Sequence, residues 1–211
     1  MESLQPLGPN YAAAIKLIDE AHAQDPNTTA APVDGESVPI PYELHYARKM
    51  TRWLASRKPD ASPALQLACR AQHFRRWELP RSSYPMTRAG YLTWRAKQKA
   101  QAAAQVAELL SSSPAIQPPL TQGEIERVAA LVRKENLQSD EETQVLEDVA
   151  CLVFLDDQFD SFEKKSEIDE EKMVGILRKT WAKMSEEGRK LALGMQLSDR
   201  AKTLIQKALD G

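Results

Sequence analysis

The sequence predicts an all-α protein, a single globular bundle of eight or nine helices over residues 1–211. Helix-favouring Ala, Leu, Glu, Lys, Arg and Gln are plentiful, whereas Gly occurs only 8 times. Helix-capping patterns recur along the chain, and no stretch shows the strict alternation or the Asn-Gly turn that is typical of β-hairpins. With 42% hydrophobic and 27% charged residues, the chain has the composition of a globular domain with a substantial core.

The N-terminal third predicts three helices and one long loop. Apolar residues at helical spacing indicate a first helix over residues 10–24. The following stretch, 25–41, is rich in Pro, Thr and Asp and is predicted to be a surface loop. A second helix is expected over 41–56 because proline favours the first helical turn. A Ser-Pro pair opens a third helix over 62–73.

The middle of the chain predicts a turn, a long helix and a capped helix. Residues 78–85 hold two prolines and must turn. An alanine-rich helix is expected over 87–110, followed by a Ser- and Pro-rich linker over 111–119. The pattern Thr121-x-x-Glu124 is a capping box and predicts that a fifth helix begins there.

The sixth helix is predicted to be the buried centre of the fold. It opens at a second capping box, Ser139-x-x-Glu142, and residues 144–157 are apolar nearly all round. The stretch 156–171 is acidic and partly loop. Three later helix starts are predicted at Ile168-Asp169, Ser185 and Ser198.

A basic segment stands out against a chain of net charge −2. Residues 70–99 contain eight Lys or Arg residues and a single acid, Glu78, with Trp and Tyr residues interleaved. Arginine forks beside aromatic faces suit a small phosphorylated or otherwise anionic ligand. The candidate ligand-binding residues are Arg75, Arg76, Trp77, Arg81, Tyr84, Arg88, Tyr91 and Arg95.

Two histidines and one carboxylate are candidates for a metal site. His45 and His73 lie beside apolar stripes of the second and third helices, and Asp148 faces the same way as Cys151 and Leu155 of the sixth. A buried carboxylate must pair with a cation or bind a metal ion. Two interpretations therefore stand: a divalent metal held by His45, His73 and Asp148, or an ion pair between Asp148 and an arginine of residues 70–95.

The remaining patterns concern location and thiol state. No apolar run approaches the ~20 residues that span a bilayer, and the N-terminus lacks the basic start and apolar core of a signal peptide. Cys69 and Cys151 lie in apolar helical stretches. These features predict a cytoplasmic protein with no membrane association and with both thiols reduced and buried. His22, beside acids late in the first helix, is predicted to lie at the surface.

The order His45, His73, Asp148 resembles the HD-domain metal phosphohydrolases. That family is helical and has a first His, then a His-Asp pair at a helix end, then a later Asp. Phe74 follows His73 here, so the resemblance implies at best a single divalent ion, or a site that has lost its metal, and not a binuclear site. On this resemblance the chain is one domain with three parts: an N-terminal helix and long loop (1–40), an HD-like core (41–155) and C-terminal helices (156–211).

A second resemblance covers nearly the whole chain. It is carried by AQHFRRW at 71–77, PRSSYP at 80–85, RAGY at 88–91, RKEN at 133–136 and LEDVACLVFL at 146–155. These sequence motifs resemble those of an uncharacterised helical family, domain of unknown function 4202. The resemblance implies a helical fold and no particular activity.

Two classes of function follow from these patterns. The first is a metal-dependent phosphohydrolase acting on a small phosphorylated or nucleotide-like substrate, with Glu147 or Glu135 as general base. The alternative is a non-catalytic module that binds a nucleotide or RNA through arginines and stacked aromatics. The acidity of the whole chain argues against long nucleic acids. An interaction scaffold is a third interpretation.

Overall fold

A computed structural model of the protein describes residues 3–33, 36–159 and 169–210. Most of these residues are helical, which confirms the all-α prediction. Of the predicted helix start at Ile168-Asp169, Asp169 is described and caps the helix that follows, which confirms the prediction; Ile168 and most of the acidic stretch before it lie outside the described residues. The α-helices are α1 (Pro9–His22), α2 (Tyr42–Arg57), α3 (Pro63–Arg70), α4 (Arg88–Ser112), α5 (Gln122–Arg133), α6 (Glu141–Val153), α7 (Glu170–Lys183), α8 (Glu186–Leu193) and α9 (Asp199–Leu209).

The segment predicted as a long loop instead forms a β-hairpin. Strand β1 (Thr28–Val33) pairs antiparallel with β2 (Glu36–Pro41), with Ala31 opposite Val38. The prediction was wrong because the prolines of this segment argued against strand. In a two-stranded ribbon both strands are edges, where a residue without an N–H is tolerated.

Most predicted helix starts are confirmed by their caps. Ser62 accepts a hydrogen bond from the Leu65 N–H, and Thr121 and Glu124 form a reciprocal capping box. Ser185 and Ser198 cap α8 and α9. Two starts differ by one residue: α2 begins at Tyr42, with Pro41 at the end of β2, and the N-cap of α6 is Asp140 rather than Ser139. The Asp140 carboxylate accepts from the Thr143 N–H and also pairs with Arg127, so an aspartate serves both roles there.

The helices enclose two hydrophobic clusters that meet along α6. The larger cluster contains residues from all of the helices α1 through α6. The smaller cluster contains residues from the end of α6 and from α7, α8 and α9. Val149, Leu152 and Val153 of α6 are fully buried, which confirms that this helix is central. α6 packs against α2, and α4 packs against α5. Among the described helices, none has both the length and the hydropathy needed to cross a membrane.

Both cysteines are free and buried, as predicted. Burial raises the pKa of each thiol, that of Cys151 to about 12, so neither is a thiolate near neutral pH.

His22 is fully buried, so the prediction of a surface position was wrong. Its Nε2 donates to the Arg70 carbonyl at 2.9 Å, and its Nδ1 lies 3.1 Å from Oε2 of Glu43. The other oxygen of Glu43 accepts the backbone N–H of Arg76 at 2.5 Å. This buried pair therefore ties α1 and α2 to the turn that begins the basic segment.

Candidate functional site

A cleft of about 600 Å³ lies between the turn after α3, the helices α4, α6 and α7, and the residue that follows α5. Part of its wall is apolar, formed by Ala102, Ala150, Phe154 and Ile176. Its volume falls within the range of small-molecule sites. Six cationic side chains line it: Arg76, Arg95, Lys99, Lys134, Lys179 and Lys183.

Four of these six cationic side chains lie in two pairs, each pair on one face of a helix. Arg95 and Lys99 are four residues apart on α4, and Lys179 and Lys183 are four residues apart on α7. Side chains at i and i+4 share one face of a helix. Both faces line the same cleft, and Arg76 adds its guanidinium from the turn.

Glu147 is the one carboxylate among the described residues that line the cleft. It forms ion pairs with Lys134, at 2.5 Å, and with Lys183, at 3.4 Å. Burial alone would raise the pKa of Glu147, but the two ammonium groups outweigh burial and hold that pKa at about 2. Glu147 therefore stays ionised near neutral pH and neutralises part of the cationic wall.

Lys134 reaches the cleft from an unusual backbone position. As the C-cap of α5 it has φ 58° and ψ 48°, a left-handed conformation that glycine usually adopts at helix ends. For a residue with a Cβ this conformation costs on the order of 1 kcal/mol. The side chain is only 9% exposed. Strained backbone at a cleft is a common feature of binding sites.

Lys134 and Lys183 pair with Glu147. The other four cations of the cleft, Arg76, Arg95, Lys99 and Lys179, have no ion-pair partner within the described part of the chain. Burial, followed by the charges of Lys134 and Arg95, lowers the pKa of Lys99. Burial and then Arg95 also lower the pKa of Arg76. The cleft thus concentrates positive charge that its own carboxylate only partly offsets, and a bound anion would relieve the repulsion.

His73 is a neutral hydrogen-bond donor on the cleft wall. Its Nε2 lies 2.7 Å from a guanidinium nitrogen of Arg76, which can only donate, so Nε2 accepts and Nδ1 carries the proton. Burial and then the charges of Arg76 and Arg95 hold the pKa of His73 well below its usual value. The ring stacks on Tyr46 with centroids 3.7 Å apart.

The three predicted metal ligands have separate partners. Nε2 of His45 lies 2.5 Å from Asp157, and the one lone pair of His73 faces Arg76. Asp148 is bound by Arg57, which lies outside residues 70–95, the range in which its partner was expected. In the ranges 3–33, 36–159 and 169–210, no three His, Cys, Asp or Glu side chains are grouped to hold an ion. These residues do not fit a shared metal site, and metal binding stays a prediction.

The structure separates the predicted ligand-binding residues into three groups: some line the large cleft, one lines a smaller cavity, and Arg75, Arg81, Tyr84 and Arg88 line neither. Arg76, Tyr91 and Arg95 line the large cleft. Trp77 lines a smaller cavity of about 190 Å³ that shares His73, Arg76 and Gln98 with it.

The other predicted ligand-binding residues lie outside the large cleft. Arg81 donates to the carbonyls of Tyr84 and Pro85 and so closes the turn before α4. Arg75 lies over the ring of Phe74, and Arg88 is exposed.

The two predicted general bases also separate. Glu147 lies in the cleft, whereas Glu135 is half exposed and pairs with Arg133 at 2.6 Å. The prediction did not include the four cleft lysines or Gln98 among the binding residues. The i, i+4 spacing of Lys179 and Lys183 was a usable signal, but it did not show which face of α7 turns inward.

Comparisons with known proteins place the chain in a family whose function is not described. The model of the family named "Domain of unknown function (DUF4202)" matches residues 12–205. No curated protein and no solved structure gave a match.

Proposed function

The chain belongs to the DUF4202 family, and from the geometry of its cleft we propose that it binds a small phosphorylated ligand. The observation that carries the proposal is the charge of the cleft, six cationic side chains against one carboxylate in about 600 Å³. Charge-assisted hydrogen bonds from Lys and Arg to phosphate oxygens are among the strongest available to a protein.

The distribution of the cations supports a compact ligand. They come from the turn, from α4, from α7 and from Lys134, so they surround a volume rather than follow a surface. The chain as a whole is acidic, with net charge −2, and binding along a nucleic acid calls for an extended basic face. A small phosphorylated molecule fits this arrangement better than RNA does.

The proposal concerns binding rather than hydrolysis. A carboxylate with a pKa of about 2 is a weak base, so the ion pairs of Glu147 argue against its predicted role as general base. The predicted metal ligands do not share a site among the described residues. Metal-dependent phosphohydrolysis therefore stays a prediction from sequence, and the non-catalytic alternative gains the support of the cleft.

A thermal-shift and calorimetric screen tests the proposal. Nucleotides, sugar phosphates and inorganic pyrophosphate are the probes. A ligand at a hundred times its dissociation constant adds roughly 2.7 kcal/mol to the free energy of unfolding. We expect Lys99→Gln and Lys179→Gln to weaken binding of the stabilising probe at least tenfold, with the fold intact.

Lys97 provides the matched control, because it is exposed on α4 and does not line the cleft. Lys97→Gln should bind the probe as the wild type does. If no phosphorylated probe binds the wild type, or if Lys97→Gln weakens binding as much as Lys99→Gln, the proposal is wrong.

A further inference from the structure

Three residues that line the same cleft each carry an orphaned polar atom, a buried side-chain N or O without a hydrogen-bond partner. Within the described part of the chain, the buried side-chain atoms without a hydrogen-bond partner are Oε1 of Gln72, Nδ1 of His73, Oε1 of Gln98 and Oε1 of Gln105. The first three residues line the cleft, and Gln105 does not. Buried polar atoms in folded proteins are nearly always paired, so a cluster of exceptions in one cavity calls for a ligand or solvent group.

Neighbouring bonds set the polarity of each orphaned atom. Gln98 is only 8% exposed, and its side-chain Nε2 donates to the Leu79 carbonyl at 3.3 Å, which leaves its oxygen as the unpaired acceptor. The Nε2 of Gln72 donates to the Val132 carbonyl at 3.5 Å, with the same result. His73 has its proton on Nδ1 because its other nitrogen accepts from Arg76. Residues of the cleft wall thus hold two unpaired acceptors and one unpaired donor.

A fully ionised phosphoryl group alone does not complement this set. It has no O–H, so it can accept a hydrogen bond from Nδ1–H of His73 but cannot donate to either glutamine. A protonated amine can donate to both glutamine oxygens, but it has no lone pair with which to accept a hydrogen bond from His73. A hydroxyl group both donates and accepts, so neighbouring hydroxyls can complement both kinds of atom.

We propose, building on the proposed function, that the ligand is a hydroxylated phosphate ester: a sugar phosphate or the ribose phosphate part of a nucleotide. Its phosphate lies among the cleft lysines, and its hydroxyls bond to Gln72, His73 and Gln98. The two ends of the ligand thereby have separate determinants on the protein. Charge decides whether a phosphate binds, and the orphaned atoms decide which phosphate ester is preferred.

Calorimetry with four probes and matched variants tests this division. The probes are inorganic pyrophosphate, ribose 5-phosphate, 2-deoxyribose 5-phosphate and adenosine 5′-monophosphate. A neutral hydrogen bond contributes about 1 kcal/mol, a factor of about five. Wild type should therefore bind ribose 5-phosphate at least fivefold more tightly than its deoxy analogue. A further gain with adenosine 5′-monophosphate would identify the ligand as a nucleotide rather than a free sugar phosphate.

Gln98→Met keeps the length of the side chain and removes its amide. We expect at least a fivefold loss of affinity for ribose 5-phosphate and no change for pyrophosphate. Gln72→Met should behave in the same way, which gives a second reading if Gln98→Met folds poorly by circular dichroism. Gln105→Met is the control, since that residue lies on α4, has an orphaned oxygen of its own and does not line the cleft. It should leave both affinities unchanged.

The outcomes separate this inference from the proposed function. If pyrophosphate binds but the deoxy analogue binds as well as ribose 5-phosphate, or Gln98→Met and Gln72→Met change nothing, water serves the orphaned atoms. The inference is then overturned while the phosphate site stands. If none of the probes binds, both are overturned. Equal losses of pyrophosphate and ribose 5-phosphate in Gln98→Met would assign that residue a structural role and also overturn the inference.

Discussion

Nε of Arg57 on α2 donates to Oδ2 of Asp148 on α6 across 2.8 Å, and the Asp148 side chain is fully buried. The same carboxylate accepts the backbone N–H of Ser185 at 2.8 Å and the Ser185 hydroxyl at 2.6 Å. Gln144 adds a fourth donor at 3.0 Å. A residue predicted to bind a metal therefore joins α2 and α6 to the start of α8.

Asp148→Asn should destabilise the protein by about 3–5 kcal/mol, because the largely buried guanidinium of Arg57 keeps only the exposed carboxylate of Glu187, at 3.9 Å, as a counter-charge. Urea denaturation followed by circular dichroism measures the loss. Asp60→Asn is the control, since Asp60 is exposed and its contact with Lys58 at 3.6 Å should contribute less than about 1 kcal/mol. If Asp148→Asn costs no more than Asp60→Asn, the ion pair is not what holds these helices together.

Gly188→Ala should also be destabilising, because a Cβ at Gly188 would lie 2.7 Å from Cγ of Asp148. The carboxylate cannot move aside without losing its four hydrogen bonds. Gly175 lies within α7 and has nothing within 4 Å of the same position. Gly175→Ala should therefore stabilise by about 0.5–1 kcal/mol through helix propensity. Melting temperatures that move in the same direction for both variants would contradict the close approach.

The ion pairs of Glu147 predict a particular response to acid. Its pKa falls from 4.5 to about 2 on folding, so its contribution to stability is complete above pH 4.5 and is lost as the pH falls towards 2. That contribution is on the order of 3 kcal/mol. Glu147→Gln should be less stable than wild type at pH 7, and the difference should shrink between pH 4.5 and 2.5. Urea titrations at several pH values measure it, and a constant difference would show that the pairs contribute little.

The lowered pKa of Lys99 predicts how anion binding depends on alkaline pH. A lysine with a lowered pKa loses its charge at a lower pH than an ordinary lysine, so wild-type affinity for pyrophosphate should fall as the pH rises from 7 to 10. Lys99→Arg keeps its charge throughout this range and should shift the fall to higher pH. Lys97→Arg should leave the profile unchanged. Calorimetry across the pH series makes the comparison, and coincident profiles for wild type and Lys99→Arg would exclude Lys99 as the titrating group.

The sequence by itself determined the local structure of the helices. Ser62, Thr121, Ser185 and Ser198 cap helices where they were predicted to, because a cap depends only on a side chain and the next three residues. The central position of α6 also followed from its own apolar pattern.

Only the tertiary structure decided which distant groups meet. Pairing between strands made a hairpin of a proline-containing segment, and the packing of α1 on α2 buried His22 against Glu43. The need for a counter-charge at Asp148 was evident from the sequence, but the choice of Arg57 depended on how α2 lies against α6. The cleft also depends on the tertiary structure, because Lys99 and Lys179 lie on helices that are far apart in the chain. A helix pattern shows that one face is buried, and only the packing of helices sets which charged side chains share a cavity.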